Sequence, residues 1–210
     1  MKMSRIAAPL LLALLAACSV LPKAETPSIY RLPATPLAHA QGDAVHWSLR
    51  INTPQAGRMI DSPRIVVLPE GDVVSVYQGA RWSDSGTVLF RNRLVDAFRD
   101  DGRVGALSND DAALQADVTL TGNLSAFQSE YRNGQPTVVI RYDAQLVRTN
   151  GMRIIAGRSF EVAEPVNGKA VPEVVAAFGR ANDKVAAQVV QWGAAYATEP
   201  ADARNPRTPQ

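Results

Sequence analysis

Cys18 is the side chain whose chemistry its neighbours announce. It is the single cysteine in 210 residues, and it ends the run Leu15-Ala16-Ala17-Cys18. Lys2 and Arg5 give a positive n-region, Ile6 to Leu15 an apolar h-region, and small residues lead to the cut. That order is the pattern of a bacterial lipoprotein signal. A peptidase must accommodate small side chains before the scissile bond. The Cys18 thiol then becomes a thioether to diacylglycerol, and the new N-terminus can take a third acyl chain. Two or three chains hold far better than one, at roughly 0.8 kcal/mol per buried methylene. The rival readings are a membrane-spanning helix and an ordinary secretory leader. The apolar run is about half the roughly 20 residues a span requires. A lone cysteine at the lipobox position speaks against the second. Ser19, rather than aspartate, points to the outer membrane, with the body facing the periplasm.

Elsewhere the reactive inventory is thin. The histidines are His39 and His46, and there is no H-E-x-x-H, G-x-S-x-G or P-loop. His46 alternates outward on an expected strand and reads as solvated. Asp100-Asp101 and Asp110-Asp111 are adjacent carboxylates at helix and loop ends, where capping or solvation is the plain explanation. No set of residues converges in a metal-ligand pattern, and no cofactor is implied. Removing Lys2 and Arg5 with the leader leaves 20 basic and 20 acidic side chains. With no basic stripe, a nucleic-acid partner is not expected.

One further stretch draws attention: Val76-Tyr77-Gln78-Gly79-Ala80-Arg81-Trp82-Ser83-Asp84-Ser85. A strand ends near Tyr77, Trp82 comes five residues later, and Asp84 follows at the start of a helical pattern. Structurally, Trp82 would plug a strand-to-helix corner while Asp84 or Ser85 caps the helix. Functionally, the same residues would form a groove for a partner or an acyl chain.

The elements that hold these residues can be read from periodicity. Residues 1–17 are the leader, 18–27 a lipidated N-terminus and linker, 28–197 a folded domain and 198–210 a disordered tail. Val45, Trp47, Leu49 and Ile51 alternate with polar residues as a half-buried strand. Arg64 to Leu68 is a second strand, Pro69 to Asp72 a turn, and Val73 to Tyr77 a third strand. Val118, Leu120, Leu124 and Ala126 share one parity, as do Val138 to Leu146, and Ile154, Ala156, Phe160 and Val162. Asn133-Gly134 and Asn150-Gly151 separate these runs, giving an antiparallel three-stranded meander over 117–163. Helices are expected over about 85–99 and 171–196. The second carries a stripe from Val171 through Phe178 and Val185 to Trp192 and Tyr196. That stripe packs on the sheet, with a partner helix or lipid as the rival contact. The fold class is α+β: an antiparallel sheet ending in the meander, packed by two main helices.

At this point the chain resembles the ABC-type transport auxiliary lipoproteins. The likeness is carried by the lipobox, Tyr30-Arg31-Leu32, and the Tyr77…Trp82 corner with its helix. Leu120-Thr121-Gly122-Asn123-Leu124 with Phe127, the strand through Leu146, and the last helix with Trp192 extend it over nearly the whole chain. The family often has proline after the acidic residue that follows the tryptophan, and Ser85 stands there here. The resemblance implies a non-enzymatic outer-membrane component of a phospholipid transport system. Its implied partners are outer-membrane lipid through acylated Cys18, and a mammalian-cell-entry type substrate-binding protein with its ABC permease and ATPase. Self-association into a homo-oligomer is also implied, with Tyr77, Trp82, Asp84 and Trp192 as candidate docking or structural residues. Competing readings are an assembly lipoprotein of another envelope machine, such as a secretin pilot or lipopolysaccharide-assembly partner, and a periplasmic enzyme using Asp84 or His46.

Overall fold

Three long strands and two helices set the frame. The computed structural model describes residues 26–198; Cys18, the leader, most of the linker and the tail beyond Thr198 lie outside the described residues. Strands β1 (Ser28–Tyr30), β2 (Leu49–Ile51), β3 (Gln55–Ala56), β4 (Arg64–Glu70) and β5 (Val73–Trp82) precede helix α1 (Gly86–Asp101). Then come β6 (Leu107–Asn109), a 3-10 turn (Asp110–Ala112), β7 (Val118–Arg132), β8 (Gln135–Arg148), β9 (Arg153–Pro165) and helix α2 (Val171–Thr198).

The expected meander is present, with β7, β8 and β9 antiparallel in sequence. Asn133 and Gly134 both have positive φ (52° and 74°), as a type I′ turn requires. The second turn departs from that pattern. It spans Thr149 to Met152, and positive φ falls on Gly151 and Met152 rather than on Asn150.

Beyond the meander the sheet is mixed. The β4–β5 hairpin is antiparallel, but β2, β3 and β4 all lie parallel along one edge of β7, β1 lies parallel to β5, and β6 to β2. Strands of two or three residues carry too little pattern to announce a direction. The chain reaches β7 from β4 only after passing through α1, and such crossovers bring strands back in parallel.

Three local readings change for physical reasons. Only Leu49–Ile51 of the expected 45–52 strand is in the ladder, because Ser48 N–H and Oγ turn to the Asp117 carboxylate (2.8 and 2.7 Å). Strand β5 continues past Tyr77 to Trp82, and its hairpin with β4 turns at Gly71-Asp72. Register shifts in the meander also flip parity. One lies between Leu124 and Ala126, so Phe127, not Ala126, joins the helix-facing core. Another leaves Ile155 unpaired between Ile154 and Ala156, turning Ile154 out to solvent and Ile155 against the core.

Both helices cover one face of the sheet. Helix α1 begins at Ser85, whose Oγ accepts from Val88 N, and ends at Gly102, which has φ 80° and donates to Phe98 O. Its Phe90, Leu94, Ala97 and Phe98 are fully buried, as are Val174, Phe178, Ala181, Val185 and Val189 of α2. The stripe read on α2 therefore does pack on the sheet, meeting β8 and β9 as well as α1. Burying each large apolar side chain contributes about 1.5–3 kcal/mol.

Two arginines of α1 are nearly as buried as that core. Arg91 reaches Asp110 (2.6 Å) and Asp111 (2.7 Å), and Arg93 reaches Asp183 of α2 (2.7 Å). Arg93 also donates to Thr35 O, while Thr35 N donates to Asp183 and Leu37 N to Asp100. Residues 33–40 thus form a strap over the two helices, packed so closely that a Cβ on Gly179 would lie 2.8 Å from Pro33 O. Of the paired aspartates read as caps or solvated groups, Asp110 and Asp111 anchor Arg91, Asp100 holds the strap and Asp101 pairs with Arg103 (2.8 Å).

Candidate functional site

The Tyr77–Ser85 segment spans the end of β5 and the cap of α1. Trp82 is 1% exposed and meets Phe178 edge-on at 5.1 Å and Phe127 at 6.2 Å. Its backbone N–H donates to Pro63 O (2.8 Å), and Ser83 N–H to Tyr30 O (2.8 Å), so β1 and the β4 approach close over the corner. The indole Nε1 is buried without a hydrogen-bond acceptor. Tyr77 is half-buried, and its hydroxyl donates to Ser129 Oγ (3.2 Å); burial raises its pKa above the usual phenol value. Asp84 is exposed and accepts from Ser85 N–H (2.7 Å), while Ser85 supplies the cap. A Thr87–Asp61 hydrogen bond (2.6 Å) ties the first turn to the preceding loop. These residues make a packed corner, and its polar groups other than the Trp82 Nε1 are engaged with backbone, capping and neighbouring side-chain partners.

Trp192 is not part of that corner. It sits 14 residues beyond Phe178 on α2, roughly 21 Å along the helix. There it packs on Phe160 (5.7 Å) and Tyr196 (6.0 Å). His46 is exposed, and His39 donates from Nδ1 to Asp100 O (3.2 Å) in the strap. Asp84 and His46 lie on different elements and share no hydrogen bond. Among the described residues no group of three acidic, histidine or cysteine side chains converges in a metal-holding arrangement, and no helix is long and apolar enough to cross a membrane. Cys18, the candidate lipidation residue, lies outside the described residues.

A large cavity opens elsewhere, between the start of β7, the end of β8, the bulge of β9 and the last turns of α2. It measures about 920 Å³ and is lined by Trp47, Arg50, Leu146, Arg148, Ile155 and Tyr196, among others. Nothing in the sequence singles these out. Arg50 and Arg148 occupy polar positions of alternating strands, and Ile155 faces the cavity because of a bulge that alternation does not show.

Comparison with known proteins follows this architecture. A crystal structure of protein XCC0632 from Xanthomonas campestris, a DUF330 protein, superposes with a TM-score of 0.74 at 31% identity, covering 79% of this chain and 94% of that one. A second solved structure, of an uncharacterized protein, shares the fold with a TM-score of 0.62 at 16% identity, over 80% and 99% of the two chains. A curated relative, an uncharacterized protein of Bradyrhizobium diazoefficiens, is 29% identical over 145 residues. That alignment takes in 69% of this chain but spans only 39% of the relative's length. The family profile described as the ABC-type transport auxiliary lipoprotein component matches residues 30–190, from β1 to the last turns of α2. The chain therefore belongs to the ABC-type transport auxiliary lipoprotein component family.

Proposed function

We propose that this protein is an outer-membrane lipoprotein, anchored through acylated Cys18, that serves an ABC-type transporter of the mammalian-cell-entry class moving phospholipid between the inner and outer membranes. Family membership over residues 30–190 carries this reading. An auxiliary, non-enzymatic role is supported by the way Trp82, Asp84 and Ser85 are engaged in building a strand-to-helix corner. In this reading the tether holds the sheet and α2 at the membrane, where they dock the periplasmic substrate-binding component or a further copy of the chain.

The test is affinity purification of the full-length protein from gently solubilised, crosslinked membranes, with partners identified by mass spectrometry. Recovery of an entry-type substrate-binding protein with its permease and ATPase is expected. Cys18→Ala should release the protein from the membrane and reduce that recovery. Recovery of a secretin or of lipopolysaccharide-assembly proteins, with no transporter subunit, would overturn the proposal.

A further inference from the structure

The cavity at the C-terminal end of α2 combines two kinds of wall. Trp47 and Ile155 give it apolar surface, and the bulge in β9 is what turns Ile155 toward it. Arg50 and Arg148 give it cationic surface. Among the described residues neither guanidinium forms an ion pair or a side-chain hydrogen bond, and the Arg50 Nε is buried without a partner. Buried donors are ordinarily satisfied, so an unpaired guanidinium nitrogen beside a cavity marks a missing acceptor. Asp117, the one carboxylate on the rim, does not fill that role. It accepts from Ser48 N–H and Oγ, and these bonds hold its carboxyl below the usual carboxylate range. The cavity therefore keeps an excess of positive charge beside an apolar wall, at a volume within the roughly 300–1,000 Å³ common for small-ligand sites.

We infer that this cavity binds one anionic amphiphile, a phospholipid whose phosphate sits on Arg50 and Arg148 and whose acyl chain lies on Trp47 and Ile155. The choice of a phospholipid rests on the transport reading above; the demand for an anion with an apolar body comes from the cavity itself. Guanidinium pairs suit phosphate because their planar donors can form two parallel bonds to it. The apolar wall adds what a free phosphate would not use. Two occupants from within the chain compete with this one. Tyr196 lines the cavity near the end of α2, so residues 199–210 are one, and the acyl chains proposed on Cys18 are the other.

The test is native mass spectrometry of the full-length acylated protein in detergent, titrated separately with phosphatidylglycerol, phosphatidylcholine and inorganic phosphate. One phosphatidylglycerol per chain is expected, bound at least about tenfold more tightly than phosphatidylcholine or inorganic phosphate. The double variant R50Q/R148Q should weaken phosphatidylglycerol about tenfold or more, through loss of the charge-assisted bonds. The variant I155D should weaken it comparably while leaving both arginines in place, and it carries the test if the double variant does not fold. Equal binding of inorganic phosphate, or phosphatidylglycerol binding unchanged in I155D, would overturn the assignment. So would phosphatidylglycerol binding seen only after removal of residues 199–210 or in the unacylated C18A chain. If the transporter copurifies while phosphatidylglycerol does not bind, the cavity assignment falls and the transport reading stands.

Discussion

Replacing Trp82 separates a packing role from a docking role. Its side chain is 1% exposed and contacts Phe178 and Phe127. An aromatic side chain of this size buries about 150–250 Å². At about 25 cal/mol per Å² that corresponds to roughly 4–6 kcal/mol lost in Trp82→Ala, and large-to-alanine changes in cores typically cost about 3–5 kcal/mol. We expect about 4 kcal/mol, a large part of the roughly 5–15 kcal/mol that holds a domain folded. Trp82→Phe should be far milder. It keeps a ring against Phe178 and removes the Nε1–H that is buried without an acceptor. A net cost of about 1 kcal/mol is expected, since deleting an unsatisfied donor offsets part of the lost volume. Urea titration of the full chain in detergent, followed by far-UV circular dichroism, measures both from the shift in midpoint at constant slope. An alanine variant within about 1 kcal/mol of wild type would refute the packing argument. A stably folded Trp82→Phe chain that lost the transporter subunits proposed above as its partners would show that the corner is a docking surface.

Three further outcomes are expected. A Cβ at Gly122 would lie 2.2 Å from Asp143 O across the β7–β8 ladder, so Gly122→Ala should cost about 1–3 kcal/mol and lower the melting temperature by several degrees. Asn182 is fully buried on α2, and neither amide atom has a hydrogen-bond partner. Asn182→Leu should raise the urea midpoint by an amount equivalent to about 1 kcal/mol, and a fall would show that the amide is engaged. Glu164 is buried, which pushes its pKa up, but hydrogen bonds from Lys184 and Arg180 outweigh this and hold the carboxyl below the usual range. Its stabilising contribution is complete above the unfolded-chain value near ~4.3 and is lost as pH falls from there through the folded-state pKa. Glu164→Gln should therefore be less stable than wild type at pH 7, with the gap closing below about pH 4.3 in acid titrations. A gap that persisted into strong acid would contradict the assignment.

What could be read from the sequence follows how far each pattern extends. The meander and both helices were legible because their strands and stripes repeat over a dozen or more residues and end at glycine, asparagine or serine. Strands β2, β3 and β4 were not legible as parallel neighbours of β7, since the two or three ladder pairs that join each to β7 leave no periodic trace. Single-residue insertions near Ser125 and at Ile155 changed which side chains face inward, and alternation alone placed Ala126 and Ile154 there instead. Arg91 and Arg93 read as the polar side of an amphipathic helix. The carboxylates they hydrogen-bond lie 19 to 90 positions away, beyond any local rule. The corner at Trp82 was legible in its structural form, whereas the cavity was not. Arg50 in a half-buried strand looks the same in sequence whether it meets solvent or a ligand.

The strap over the two helices has a mechanical meaning. Load applied through the N-terminal arm reaches β1 first, and β1 is held to β5 by a ladder only three residues long. The next hold is the strap, where Arg93, Asp100 and Asp183 grip the backbone of Thr35 and Leu37 from two helices at once. Peeling residues 28–32 would lengthen the N-terminal arm by roughly 17 Å, at up to about 3.3–3.6 Å per extended residue, before the strap is reached. With the Cys18 anchor proposed above, the body would yield by about that length under load before the strap resists.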